Sequence, residues 1–201
     1  MIDSTRIRLE GYVGYLVPGA LGARGLLPSS VLLKFLHFDL ASSTPGKEIV
    51  NAYREIDPTL LDDELESVRN AWAQRSSLEL LCEFGLTDRR LELLRTHLGE
   101  TYCHPAALGY VKRALEKCWN TSACNMVVET IADFEDWPEE CHQFFWDFIR
   151  MVGARLTSAD RDLIDRYLAL AKTAFARRVL RIWRQATLDS RVGLSRFEAD
   201  S

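Results

Sequence analysis

The chain has 201 residues, 47% of them hydrophobic, and a formal net charge of −4. A chain of this length buries roughly 70% of its unfolded surface, so a sizeable core is within reach, while the mixed charge and a pI of about 5.6 exclude a chain-wide basic footprint for nucleic acid. No apolar run approaches the roughly 18 residues of a membrane span, and five cysteines, an odd number, point to buried thiols in a reducing intracellular compartment such as the cytoplasm rather than to a secreted disulfide framework.

Residues 1–28 are the least helical part. Gly11, Gly14, Gly19, Gly22, Gly25, Pro18 and Pro28 punctuate them. Tyr12, Val13, Tyr15, Leu16 and Val17 read as a short helix or strand packing on the rest. Arg6 and Arg8 before an apolar stretch give residues 9–23 the outline of a signal peptide. Asp3, Glu10, Gly11, Gly14 and Pro18 speak against it.

Residues 29–201 read as one helical domain. Ser29 or Ser30 caps a helix to about Leu40 that is apolar enough to be central. Thr44-Pro45 and Asp57-Pro58 start the next two, proline being tolerated at the first helical position. Leu61, Leu65, Val68 and Trp72 follow Pro58 as one stripe of helical spacing. Ser76-Ser77-Leu78-Glu79 has the spacing of a capping box and predicts a new helix, ending at Gly85. Thr87 caps another, with Leu91, Leu94 and Leu98 inward. Further starts fall at Pro105, at Asn120 or Thr121, and at Asp136-Trp137-Pro138-Glu139. Thr157 or Ser158 begins the longest pattern, an unbroken helix to about Ala186.

The sum is an all-α, irregular bundle of eight or nine helices with short connections. From residue 58 to 186 the helices come in pairs of similar length. That rhythm resembles HEAT-type helical hairpins but lacks their repeated signature, and a compact bundle explains it equally well. Leu65, Val68, Trp72, Leu94, Leu115, Ile131, Phe145, Phe148 and Ile164 are expected in the core.

Each candidate site has a plain structural alternative. Cys103-His104 and Cys141-His142, with Cys118 and Cys124 between them, lack the close spacing of zinc ligands. Neither a metal nor any other cofactor is expected. Cys103 stands before a helix start, where the dipole lowers a thiol pKa, and His104 or His97 would be its base, but no motif surrounds it. Asp62, Asp63 and Glu66 resemble the aspartate-rich magnesium motif of terpene synthases. No second such motif accompanies them, and acids in a first turn are explained by the helix dipole. Asp133, Glu135, Asp136, Glu139 and Glu140 bracket Phe134 and Trp137; capping and core packing compete there with an exposed protein contact at Trp137 and Glu139.

The most localised charge is on the final helix. Arg177, Arg181 and Arg184 share one face, with Arg178 and Trp183 in the same stretch. Solvation of a helix C-terminus, an acidic protein partner and a phosphate-bearing partner compete for them. The expectation is a protein–protein interaction module, of adaptor, regulator, inhibitor or effector type, using Arg177, Arg178, Arg181, Arg184, Trp183, Trp137 and Glu139. The alternatives are an enzyme assembled only in the fold from Cys103, His104, Asp62 and Glu66, and a nucleic-acid binder using the basic stripe. Of these, the enzyme and nucleic-acid readings are disfavoured, and no membrane contact is expected.

Overall fold

The computed structural model describes residues 29–37, 47–101, 104–135 and 142–188. Among them every regular element is helical: ten α-helices, three short 3-10 turns and no strand. None of these helices is long and apolar enough to cross a membrane. The chain divides into two compact units, residues 1–84 and 85–201. That division lies within the stretch read from sequence as one domain.

The first unit contains α1 (Ser29–Lys34), which tightens into a 3-10 turn at Phe35–His37, α2 (Lys47–Arg54), α3 (Pro58–Ser67) and α4 (Ala71–Leu81). Two buried hydroxyls hold α1 and its 3-10 turn. Tyr53 Oη donates to the Leu32 carbonyl at 2.8 Å and Ser77 Oγ to the Leu36 carbonyl at 2.7 Å. These are the carbonyls a helix end leaves without intrahelical partners. Burial pushes the Tyr53 phenol well above its ordinary pKa. α1 is less central than its composition suggests: Leu32 and Leu36 are buried, but Val31 is exposed.

Asp57 Oδ1 caps α3 by accepting from the Thr59 amide at 2.8 Å, with Pro58 in the first turn. The stripe Leu61–Leu65–Val68–Trp72 does not lie on one helix. α3 stops at Ser67, and Asn70 Oδ1 caps α4 through the amides of Trp72 and Ala73. Leu61, Leu65 and Val68 are buried, whereas Trp72 is 37% exposed beneath the Arg75 guanidinium, 5.5 Å from its ring. The predicted capping box at Ser76 is likewise corrected. Ser76 and Ser77 sit mid-helix and buried, because Ser77 faces the Leu36 carbonyl rather than a helix start.

The second unit opens at Gly85, whose φ of +116° only glycine adopts without strain. The Gly85 carbonyl accepts from Arg90 Nη1 at 2.9 Å, and Thr87 Oγ1 accepts from the Arg90 amide as predicted for a cap. Then follow α5 (Asp88–Thr101), α6 (Pro105–Cys118), α7 (Thr121–Asp133), α8 (His142–Gly153), α9 (Arg161–Leu170) and α10 (Ala174–Leu188). α7 is central: it packs on α5, α9 and α10, and Met126, Val127, Val128 and Ile131 are buried. α8 packs on α6 and α10. The sequence neighbours α5 and α6, and α9 and α10, also pack against each other, and the described helices fit an irregular bundle. Leu94, Leu115, Ile131, Phe145, Phe148 and Ile164 are all in its core.

The long helix expected over 157–186 is three elements. Thr157 and Asp160 form a capping box around a 3-10 turn, α9 follows, and the chain leaves the helix at Ala171. No glycine or proline marks that break. The Lys172 amide instead donates to the Ala132 carbonyl at the end of α7, at 3.1 Å. Lys172 Nζ lies 3.6 Å from Asp133 and 3.2 Å from Glu135. Thr173 Oγ1 then accepts from the Ala176 amide and starts α10.

Candidate functional site

The amphipathic pattern of α10 decides which of its residues are available. Ala176, Val179, Leu180, Trp183 and Thr187 are buried against the bundle. Arg177, Arg178 and Arg181 are exposed on the opposite side, and Arg184 is half-buried. Trp183, expected as a contact residue, is fully buried, and its Nε1 donates to the Ile149 carbonyl of α8 at 3.0 Å. It belongs to the core because the i, i+3, i+4, i+7 spacing from Ala176 puts it on the inward stripe. The ring packs beside Gly153 of α8, where an added Cβ would stand in ordinary contact, 3.4 Å from Trp183 Cδ1.

The arginines differ from one another. Arg184 pairs with Asp165 on α9, which also lies 4.0 Å from Arg161. Arg178 leans the other way, its guanidinium 5.3 Å from the centre of the Trp146 ring on α8. Trp146 packs against Phe175 of α10 with ring centroids 5.8 Å apart, and Phe175 rests on the buried Phe145 at 6.1 Å. Trp146 and Phe175 are both half-buried. The surface aromatic beside the basic ridge is therefore Trp146, on a different helix from the arginines. Sequence proximity favours Trp183; the signal that would have picked Trp146 is its place off the buried Phe145–Phe148–Ile149 stripe.

Trp137, Glu139 and Cys103 lie outside the described residues. His104 is the exposed N-cap of α6, its Nδ1 accepting from the Ala107 amide at 3.4 Å, which gives it a structural role. Asp62 is buried while Asp63 and Glu66 are exposed, so the acids of α3 do not converge on one surface. Cys82, Cys118 and Cys124 are buried thiols. Burial, the neighbouring Asp160 charge and the 3.6 Å contact of Sγ with Asp160 Oδ1 push the Cys124 thiol up to about 12. Among the described residues no three His, Cys, Asp or Glu side chains are grouped as metal ligands.

One constellation carries no signature in the sequence. Glu64 Oε1 accepts from Lys34 Nζ at 3.0 Å and closely contacts His37 Nε2, and Ser67 Oγ lies 3.4 Å from that same nitrogen. A serine–histidine–acid relay needs the hydroxyl and the carboxylate on opposite ring nitrogens. Here both meet Nε2, and the Ser67 hydroxyl donates to the Glu64 carbonyl at 2.8 Å. The group ties α1 and its 3-10 turn to α3. A comparable tie spans the second unit, where Arg95 Nη2 of α5 meets Glu129 of α7 at 2.7 Å. The chain matches no protein-family model, no curated protein and no solved structure.

Proposed function

We propose that this chain is a protein–protein interaction module that engages an acidic partner through the basic face of α10. One observation carries the reading. Arg177 and Arg181 project from a helix whose other side is locked into the core by Trp183, with Arg178 laid over Trp146 beside them, so two planar guanidinium forks are presented on a rigid support. Such forks suit paired recognition of carboxylates, and a rigid support lowers the ordering cost of binding. The face is short, and Asp165 borders it on α9. That favours a compact acidic surface over a long polyanion, which needs many cations in a row.

The test is charge reversal. A partner recovered by affinity capture is titrated against the native chain and Arg177→Glu/Arg181→Glu at two salt concentrations. The variant is expected to fold normally, associate more slowly and lose most of its salt dependence. Unchanged affinity and salt dependence would overturn the reading.

A further inference from the structure

We propose that the occupant of this surface is an acidic helical segment of another protein, its carboxylates on Arg177 and Arg181 and one apolar side chain on the step formed by Trp146 and Phe175. The inference rests on the basic-face reading above and adds the partner's chemistry and its anchor. Arg177 and Arg181 stand one turn apart on α10, about 6 Å along the axis. Carboxylates at i and i+4 of a facing helix repeat that spacing. Arg178, laid over Trp146 at 5.3 Å, joins the charged ridge to the aromatic step, so one ligand can use both.

The step is built to receive an apolar group. Trp146 and Phe175 meet at 5.8 Å with ring planes inclined by 56°, and Phe145, 1% exposed, backs Phe175. Half-buried rings resting on a packed core lose little freedom when covered, and Trp and Arg are the residue types in which binding energy concentrates.

Carboxylates border the ridge. Asp133 and Glu135 are held at Lys172, just before α10 begins. Asp165 holds Arg184 on the α9 side, and Asp147, 56% exposed, follows Trp146 on α8. Each of these acids is paired with a cation, which leaves the basic ridge short. A continuous phosphate backbone or an anionic membrane draws its affinity from many cations, whereas a segment with two carboxylates is matched by Arg177 and Arg181 alone.

The experiment titrates the full chain with stapled helical peptides carrying glutamates at i and i+4 and a flanking Leu, Phe or Ala. Parallel titrations use their Gln-for-Glu counterparts, a single-stranded oligonucleotide and anionic lipid vesicles. Readouts are peptide anisotropy and the Trp146 indole resonance. Support consists of a Leu or Phe peptide that shifts the Trp146 signal, binds at least about tenfold more tightly than its Gln counterpart, and weakens by about tenfold with Trp146→Leu. Arg178→Ala, which keeps both rings, should weaken it too, and so reports even if Trp146→Leu perturbs the fold. The proposal is overturned if no peptide binds, if Gln counterparts bind equally, if the oligonucleotide or vesicles bind more tightly, or if both variants bind as the native chain does. With the captured partner, loss on charge reversal but not with Trp146→Leu or Arg178→Ala sinks the aromatic step and leaves the basic-face reading standing. Loss with neither sinks both.

Discussion

Trp183 Nε1 donates a 3.0 Å hydrogen bond to the carbonyl of Ile149, joining the middle of α10 to α8. Trp183 sits with Ala176, Val179 and Leu180 on the buried stripe that fixes the rotation of α10 about its axis. With Trp183 inward, Arg177, Arg178 and Arg181 can only face out. Trp183→Phe keeps most of the apolar contact but leaves the Ile149 carbonyl without this donor. It should cost about 1–3 kcal/mol, and Trp183→Ala about 3–5 kcal/mol, in denaturant melts. A Trp183→Phe loss near zero would show that this hydrogen bond adds nothing net to stability.

Phe148 and Trp72 provide an internal contrast. Both belong to apolar stripes in the sequence, but Phe148 is 0% exposed and Trp72 lies at the surface. Phe148→Ala should cost about 3–5 kcal/mol and Trp72→Ala about 1 kcal/mol or less. Equal losses would place Trp72 in a core.

The Glu64 cluster predicts a pH dependence. Burial alone raises this carboxyl's pKa, but hydrogen bonds from Lys34 and His37, and their charges, outweigh it and hold it below the ordinary 4.5. The unfolded chain then takes up its proton at a higher pH than the folded chain. The stabilisation is complete above about pH 4.5 and is lost as the pH falls through the folded value. Glu64→Gln should therefore be less stable than the native chain near neutral pH, and the gap should close as the pH falls below the ordinary carboxyl value of 4.5. A gap that widens on acidification would contradict the assignment.

Cys124 should be inert in the folded protein. A thiol pushed up to about 12 has almost no thiolate near neutrality, and burial removes access. Thiol-specific reagents should label it only at the rate of unfolding, as read by mass mapping of Cys124 over time. Rapid labelling of Cys124 under native conditions would refute this.

What the sequence determined by itself is local. The all-helical class, the caps at Asp57, Thr87 and Asn120, the glycine at 85 and most core positions follow from periodicity and side-chain reach over a few residues. The charge of the α10 face is legible for the same reason, since arginines at i, i+4 and i+7 share a face wherever that helix packs.

What only the tertiary structure decided is each point where a distant group competes with a local one. α9 and α10 separate because the Lys172 amide bonds the Ala132 carbonyl, forty residues back along the chain. Ser77 is a mid-helix donor to Leu36, not a cap. Trp183 is inside and Trp146 beside the arginines because α8 and α10 pack against each other, and an aromatic residue three positions from a buried one looks the same in sequence whichever way its helix turns. Spacing along a chain encodes the face of a helix; what covers that face depends on residues far away in sequence, and those contacts exist only once the bundle has closed.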